Sequence, residues 1–223
     1  MAILLSIDTA LENASICLAK GNEIIGMSTN TDQRDHAAWL HVSIRENLER
    51  NSLQPGSLNG IIVSIGPGSY TGLRIGLSTA KGLCYALKIP LVVVSTLEMI
   101  AYAAQDEAVD LICPLIDARR MEVFTALYDR QLTLIKAPES IIVDANSFDE
   151  LLFNRNLIFC GSGSKKLQAV LSHPHAFFSP VQATAVHLSK IGLQHFTAQR
   201  FADLAYVEPF YLKDFHTHQT QPQ

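Results

Sequence analysis

The sequence is poor in charge and has no excess of positive charge. Only 17% of its 223 residues are charged, and 17 Lys and Arg stand against 21 Asp and Glu, which gives a net charge of −4. Proteins that bind nucleic acid directly present a basic surface to the phosphates, and the pair Lys165-Lys166 is too small to supply one. We therefore do not expect this chain to bind nucleic acid by itself.

Long apolar runs and paired cysteines are also missing. No stretch approaches the roughly 20 apolar residues of a membrane-spanning helix. The N-terminal MAILLSIDTA has no basic start and is interrupted by Asp8, unlike a signal peptide. Cys17, Cys84, Cys113 and Cys160 are far apart and lie in apolar runs. We predict buried free thiols, a cytoplasmic location and no membrane partner.

The residues that are present alternate between strand and helix patterns. Three strand-like runs joined by turn signals open the chain, and helices and strands then alternate. The predicted elements are strands at 3–7, 14–19 and 23–28, a helix at 36–50, a strand at 61–65, a helix at 73–87, a strand at 90–94 and a helix that ends near 104. This order mixes an antiparallel meander with parallel crossovers and predicts an RNase H-like, actin-type α/β lobe.

The second half of the sequence is shorter and less regular. A polar break at 105–107 predicts a boundary between an N-terminal lobe, 1–107, and a smaller C-terminal lobe, 108–223, whose polar tail frays from about residue 216. No repeat of close identity links the two lobes, which share only a loose order that begins with strands. The predicted elements of the second lobe are strands at 111–116, 122–128 and 157–160 and helices at 165–171 and 185–201.

Four segments carry a resemblance to a known family. They are LLSIDTALENASICL, VSIGPGSYTGLRIGLSTAKGL, VVVSTLEMIA and PLIDARRMEVFTALYD, and a shorter match returns at 208–213. With these segments the chain resembles the TsaB family, also called YeaZ, closely up to about Asp129 and thinly afterwards.

The resemblance implies a fold, a role and a set of partners. The fold is a two-lobed, actin-like ATPase (RNase H-like) fold with mixed sheets. The role is that of a subunit without catalytic residues, paired with a larger TsaD-like paralogue that transfers a threonylcarbamoyl group to adenosine 37 of certain tRNAs. A TsaE-like ATPase is a further expected partner. The chain is expected to contact tRNA only as part of the complex, and to form a homodimer when alone.

Of the three loops that hold the nucleotide in actin-type ATPases, at most one, the third, is intact here. The first, Asp8-Thr9-Ala10, lacks the glycine that lets backbone N–H groups approach phosphate. The second, Asp117-Ala118-Arg119, has a long side chain where glycine is needed, and the third is Gly161-Ser162-Gly163. We interpret these loops first as strand-end turns with a structural aspartate, and weak nucleotide binding is the alternative. We expect no required cofactor, no efficient hydrolysis and at most weak ATP or ADP binding at a partner interface, through Asp8, Asp117, Gly161 and Gly163.

Metal binding is not predicted. The TsaD-like paralogue is expected to bind a metal through two histidines four residues apart on a helix. His36 and His41 are five apart, which separates them by about 140° around the helix. We assign His41 to the inner face of that helix. His216 and His218 lie in the polar tail.

The strongest functional signal is an interface at the helix 73–87. It carries only two charges, Arg74 and Lys81, and a helix that is apolar on all sides must be covered on all sides. Gly76 and Gly82 each cost about 1 kcal/mol relative to alanine, which indicates close helix–helix approach. The only tryptophan, Trp39, is predicted to point outward, and tryptophan is enriched at binding hot spots. The predicted partner-binding residues are Trp39, Val42, Arg74, Gly76, Leu77, Ala80 and Leu83.

Other interpretations stay open at this point. Both helices, 36–50 and 73–87, would be plain core if the second lobe covered them. A stand-alone actin-fold ATPase or small-molecule kinase is the alternative function, which Ala10 and Arg119 oppose. A peptidase is the third, but the residues around Ser69 do not match the G-x-S-x-G elbow, so Ser69 or Thr71 is interpreted as a helix N-cap.

Overall fold

The computed structural model of the protein describes residues 1–32 and 35–213. The strands are β1 (Ile3–Asp8), β2 (Ala14–Lys20), β3 (Glu23–Asn30), β4 (Gly60–Ser64), β5 (Leu91–Val94), β6 (Leu111–Asp117), β7 (Glu122–Asp129), β8 (Leu134–Ile142), β9 (Leu157–Cys160) and β10 (Ala176–Phe178). The α-helices are α1 (His36–Arg50), α2 (Tyr70–Leu87), α3 (Thr96–Ala103), α4 (Asp149–Leu152), α5 (Ser164–Gln168) and α6 (Ala185–Thr197). None of the helices in these ranges is both long and apolar enough to cross a membrane.

The strands form two five-stranded sheets of the same topology. The first has the order β3-β2-β1-β4-β5, and the second, β8-β7-β6-β9-β10, repeats it. In each sheet the first three strands are antiparallel, and the last two add in parallel on the other side of the first strand. This duplicated arrangement confirms the predicted actin-like, RNase H-like α/β fold. The loose order seen in the sequence is a shared topology.

Alternating side chains attach helices to both faces of the first sheet. Leu5 of β1 packs with Leu40 of α1 and Leu77 of α2. Leu4, the next residue along the strand, points to the other face and packs with Leu188 of α6, because successive side chains of a strand alternate. Helices α1 and α2 therefore lie side by side on one face, and each presents its opposite side away from the sheet.

Helix α6 lies in the range predicted for the second lobe but packs on the first sheet. It ends at Thr197, before the predicted 201, where Gln199 adopts a positive φ of 56°. The chain after it also returns to the first sheet, since the Ala202 N–H donates to Leu91 O of β5 at 2.8 Å. The use of residue 107 as a lobe boundary stays a prediction.

The second sheet is covered by α3 on one face and by α4 and α5 on the other. Leu97 of α3 packs with Ile112 of β6, whereas Leu152 and Leu167, of α4 and α5, pack with Leu115. Strands β8 and β10 and the short helix α4 were not predicted. All four cysteines are buried free thiols, as predicted.

Candidate functional site

Asp8, at the end of β1, is fully buried. Its Oδ1 accepts hydrogen bonds from Ser64 Oγ at 2.6 Å and from the Ala10 N–H at 3.1 Å. Its Oδ2 is buried and has no hydrogen-bond partner in the described part of the chain. Burial raises the pKa of Asp8 to about 6, against the lowering effect of these two hydrogen bonds. The structure thus encloses Asp8 together with Thr9 and Ala10.

Helix α2 packs directly against the loop that follows Asp8. Thr9 Oγ1 donates to Gly72 O at 2.6 Å. A Cβ on Gly68 would lie 2.5 Å from Ala10 O, and a Cβ on Gly72 or Gly76 would overlap with Thr9. The absence of a side chain at these three glycines is therefore required for α2 to dock on its own chain. The regular spacing of these glycines is therefore explained by packing within the chain, without contact with a partner.

The second acidic loop, after β6, is neutralised by a lysine of the same chain. Asp117 Oδ1 accepts from Lys166 Nζ at 2.8 Å and from the Arg119 N–H at 2.6 Å. Burial acts to raise the pKa of Asp117, but the hydrogen bonds from Lys166 and Arg119 outweigh it and lower the pKa. Arg119 and Arg120 have φ values of 71° and 48°. The sequence offered no signal for the Asp117–Lys166 pair, whose members lie 49 residues apart.

The glycines of the third loop are explained by packing. Gly161 has a φ of 89°, and a Cβ there would lie 2.5 Å from Leu115 O. A Cβ on Gly163 would lie 2.9 Å from Val123 Cγ1. Both glycines let the loop after β9 approach the neighbouring strands closely.

A cleft of about 530 Å³ lies between the loop after β1 and the loop after β9. Of the four residues predicted to contact a nucleotide, Gly161 lines the cleft, whereas Asp8, Asp117 and Gly163 do not. Nucleotide binding here stays a prediction. The lining includes the charged residues Glu12 and Lys165 and the apolar residues Leu11, Ile100 and Phe178.

Helix α2 has a buried inner face and an exposed outer face. Gly76, Leu77 and Ala80 are buried against the first sheet and do not lie on the outer surface of α2, so their predicted contact with a partner stays a prediction that the packing does not favour. Ser69 caps the helix, as predicted, because its Oγ accepts from the Gly72 N–H at 3.2 Å. The outer face of α2 consists of Thr71, Arg74, Ser78, Gly82, Tyr85 and Ala86, all exposed.

Gly82 is unlike the other glycines of α2. A Cβ at Gly82 would meet no atom within 4 Å among the described residues. A glycine inside a helix lowers the stability of the helix by about 1 kcal/mol relative to alanine. Among the described residues, no close contact at Gly82 requires a glycine and so explains this loss. Beside it, Tyr85 is 82% exposed. The outer face of α2 therefore has open space at Gly82 for close approach by another helix.

Helix α1 contributes less to this surface than predicted. Trp39 is partly buried and, like Leu83, packs against the core of the first sheet, so it does not point fully outward. Val42 is 43% exposed. Leu40 is buried as predicted, but His41, assigned to the inner face, is exposed.

The other α1 histidine is the buried one. His36 Nδ1 lies 3.2 Å from Asn30 Nδ2. Within residues 1–32 and 35–213, no group of three or more His, Cys, Asp and Glu side chains is placed to hold a metal ion. His216 and His218 lie outside the described residues. The expectation of no metal stays a prediction.

Comparison with known proteins agrees with the family resemblance seen in the sequence. The family described as "TsaD: tRNA N6-adenosine threonylcarbamoyltransferase" matches residues 22–215. The "tRNA threonylcarbamoyladenosine biosynthesis protein TsaB" of Bacillus subtilis is 35% identical over 144 residues, which are 64% of this chain and 61% of that protein. The Escherichia coli protein of the same name is 31% identical over 57% of this chain and 55% of that protein. The match thus spans less than two thirds of the length of both relatives.

A solved structure shows the same fold. YeaZ from Pseudomonas aeruginosa superposes with a TM-score of 0.81 and 23% sequence identity, covering 95% of this chain and 100% of that one. The likeness extends through both sheets, including the second half, where the sequence resemblance is thin.

Proposed function

We propose, because the chain belongs to the TsaB (YeaZ) family, that it serves in tRNA threonylcarbamoyladenosine biosynthesis as a subunit that is not itself catalytic. The observation that carries the proposal is the outer face of α2, where Gly82 and Ser78 leave a flat, uncovered strip on an otherwise well-packed helix. Small residues allow two helix backbones to approach closely.

The state of the acidic loops supports a role without ATP hydrolysis. Phosphoryl transfer needs carboxylates that are free to hold a metal ion beside the phosphates. Asp8 is enclosed and Asp117 is paired with Lys166. In addition, Thr9 contacts α2 and Ala10 contacts the turn just before it, and both residues are buried.

A TsaD-like paralogue is the partner we propose for the outer face of α2. The family match to TsaD implies that such a paralogue shares this fold. It would therefore contain a helix equivalent to α2. In the proposed cytoplasmic complex, the chain contacts tRNA and a TsaE-like ATPase only while it is bound to the paralogue. A homodimer through the same face is the proposed state of the chain alone.

The test is complex formation between this chain and the TsaD-like protein of the same host, measured by calorimetry on purified proteins. We expect a stable complex that Ser78→Arg on the outer face weakens. Gln194→Arg, at an exposed position of α6 on the opposite side of the first sheet, is the matched control and should bind like the wild type. Absence of a complex, or equal weakening by both variants, would contradict the proposal.

An assay of ATP turnover by the isolated chain tests the alternative function, which is that of a stand-alone ATPase or kinase. The cleft beside Gly161 is the feature that favours a stand-alone ATPase or kinase. We expect no turnover above background with ATP and Mg²⁺. Turnover that Lys165→Ala abolishes would place a catalytic site in the cleft and overturn the non-catalytic assignment.

A further inference from the structure

Residues 200–213, here called the strap, follow α6 without forming a helix or strand, and hydrogen bonds attach them to the rest of the chain at several points. Lys81 Nζ of α2 donates to Val207 O at 3.1 Å. The Phe210 N–H donates to Ile65 O, just after β4, at 2.7 Å. The strap therefore runs across the first sheet beside α2. Its apolar residues Ala202, Leu204 and Val207 pack against the core that α1 and α2 cover.

The turn after β4 is shaped to receive the strap. Gly66 has a φ of 119°, and a Cβ at this position would overlap with Phe210 O. Only glycine allows both this backbone conformation and this close approach. At Phe210 the strap is therefore closely packed against the turn after β4.

Beyond Phe210, the strap binds a residue of the outer face of α2. Tyr211 stacks on Tyr70 with ring centroids 4.8 Å apart. Its hydroxyl accepts a hydrogen bond from Arg74 Nε at 3.1 Å, and the Arg74 guanidinium lies 4.0 Å from the centre of the Tyr70 ring. Arg74, which is exposed on the outer face of α2, is therefore oriented by the strap.

The described end of the strap reaches the second sheet. Lys213 Nζ lies 2.5 Å from both carboxylate oxygens of Glu122, the first residue of β7. The backbone O of Glu122 accepts from Lys166 Nζ at 3.0 Å, and Lys166 neutralises Asp117. The strap thus joins α2 to the second acidic loop through a short chain of contacts. Because Lys213 and Glu122 are partly exposed, their ion pair is weak and is screened by salt.

We propose that the strap is a latch between the outer face of α2 and the second sheet, and that the Lys213–Glu122 pair is its releasable end. When the pair is closed, Tyr211 orients Arg74 for a partner. When it opens, residues 208–211 loosen and Arg74 loses its support. The effect on partner binding rests on the proposed function, whereas the latch itself is a property of the isolated chain.

Amide hydrogen exchange of the isolated chain, followed by mass spectrometry, tests the latch without any partner. We expect Glu122→Gln to speed exchange about threefold or more in peptides covering 206–211 and the first turn of α2, with the rest of the first sheet unchanged. The charge-swapped double variant Glu122→Lys with Lys213→Glu should restore slow exchange, and 0.5 M NaCl (about a 4 Å screening length) should act like Glu122→Gln. Glu150→Gln, at an exposed position of α4, is the control and should change nothing.

Two results would overturn the latch. One is unchanged exchange at 206–211 in Glu122→Gln. The other is faster exchange that the swapped pair does not reverse, which would mean that Glu122 acts on the fold and not through Lys213. In binding to the TsaD-like protein, Glu122→Gln should weaken affinity about threefold or more, and the swapped pair should recover it. If the exchange results hold and no complex forms, the proposed function fails and the latch stands.

Discussion

The two faces of helix α2 carry similar small residues in opposite surroundings. On the inner face, a Cβ on Gly76 would overlap with Thr9 Oγ1 and lie 3.6 Å from Val63 Cγ2. On the outer face, a Cβ on Gly82 would meet no atom of the described chain within 4 Å. The difference shows that the fold itself explains one stripe of small residues and leaves the other without a contact. The outer stripe is therefore the one that we propose for contact with a partner.

The largest expected effect on stability is that of Gly76→Ala. The added methyl group would overlap with Thr9 Oγ1, which is buried and held in place by its hydrogen bond to Gly72 O. We expect a loss of about 2 to 3 kcal/mol in the free energy of unfolding, typical of overpacking in a core. Urea denaturation measures it. A loss below about 0.5 kcal/mol, the usual effect of a surface substitution, would mean that the inner face is loosely packed.

Asp8→Asn should change how stability depends on pH, because Asp8 lies under the loop on which the inner face of α2 rests. The pKa of Asp8 is raised to about 6. A carboxyl with a raised pKa stabilises the fold fully at low pH, and this stabilisation is lost as the pH rises through about 6. Relative to Asp8→Asn, which does not titrate, the wild type should lose about 2 kcal/mol between pH 4 and pH 7.

Urea denaturation of both proteins across this pH range measures the difference. Asp117→Asn is a useful counterpart, because the pKa of Asp117 is lowered and its contribution has the opposite sign. The stabilisation from Asp117 should be lost as the pH falls. Parallel stability curves for Asp8→Asn and the wild type would show that the Asp8 carboxyl is not held as the structure describes.

The smallest expected effect is that of Gly82→Ala in the isolated chain. The same substitution that harms the inner face should stabilise the protein by about 0.5 to 1 kcal/mol here, because alanine favours the helix and no neighbour obstructs it. Thermal unfolding at low protein concentration measures it. Destabilisation would indicate that something already covers Gly82, and the contrast between the two faces would fail.

Sequence patterns predicted the first sheet and its helices well. Helical periodicity located α1 and α2, and turn signals separated β1, β2 and β3. Sequence alone did not show which side of α2 meets the sheet, because only Arg74 and Lys81 are charged and no polar stripe marks the outer face. Small residues occur on both sides, so sequence alone does not distinguish the role of Gly76 from that of Gly82.

The features that were missed depend on contacts between distant parts of the chain. Strand β8 contains Pro138, which argues against a central strand, but β8 is an edge strand, where proline is tolerated. The strap has no periodicity to detect. Its partner Arg74 lies 137 residues from Tyr211 in the sequence, and only the folded chain brings them together.

The affinity of the TsaD-like protein for Gly82→Arg and Gly82→Ala variants of this chain, measured by calorimetry side by side, tests the central claim most directly. Both variants should fold, since Gly82 has open space around it. We predict that Gly82→Arg weakens binding about tenfold or more, which corresponds to roughly 1.4 kcal/mol, and that Gly82→Ala weakens it much less. Wild-type affinity in Gly82→Arg, with the fold intact, would show that the outer face of α2 is not the partner surface.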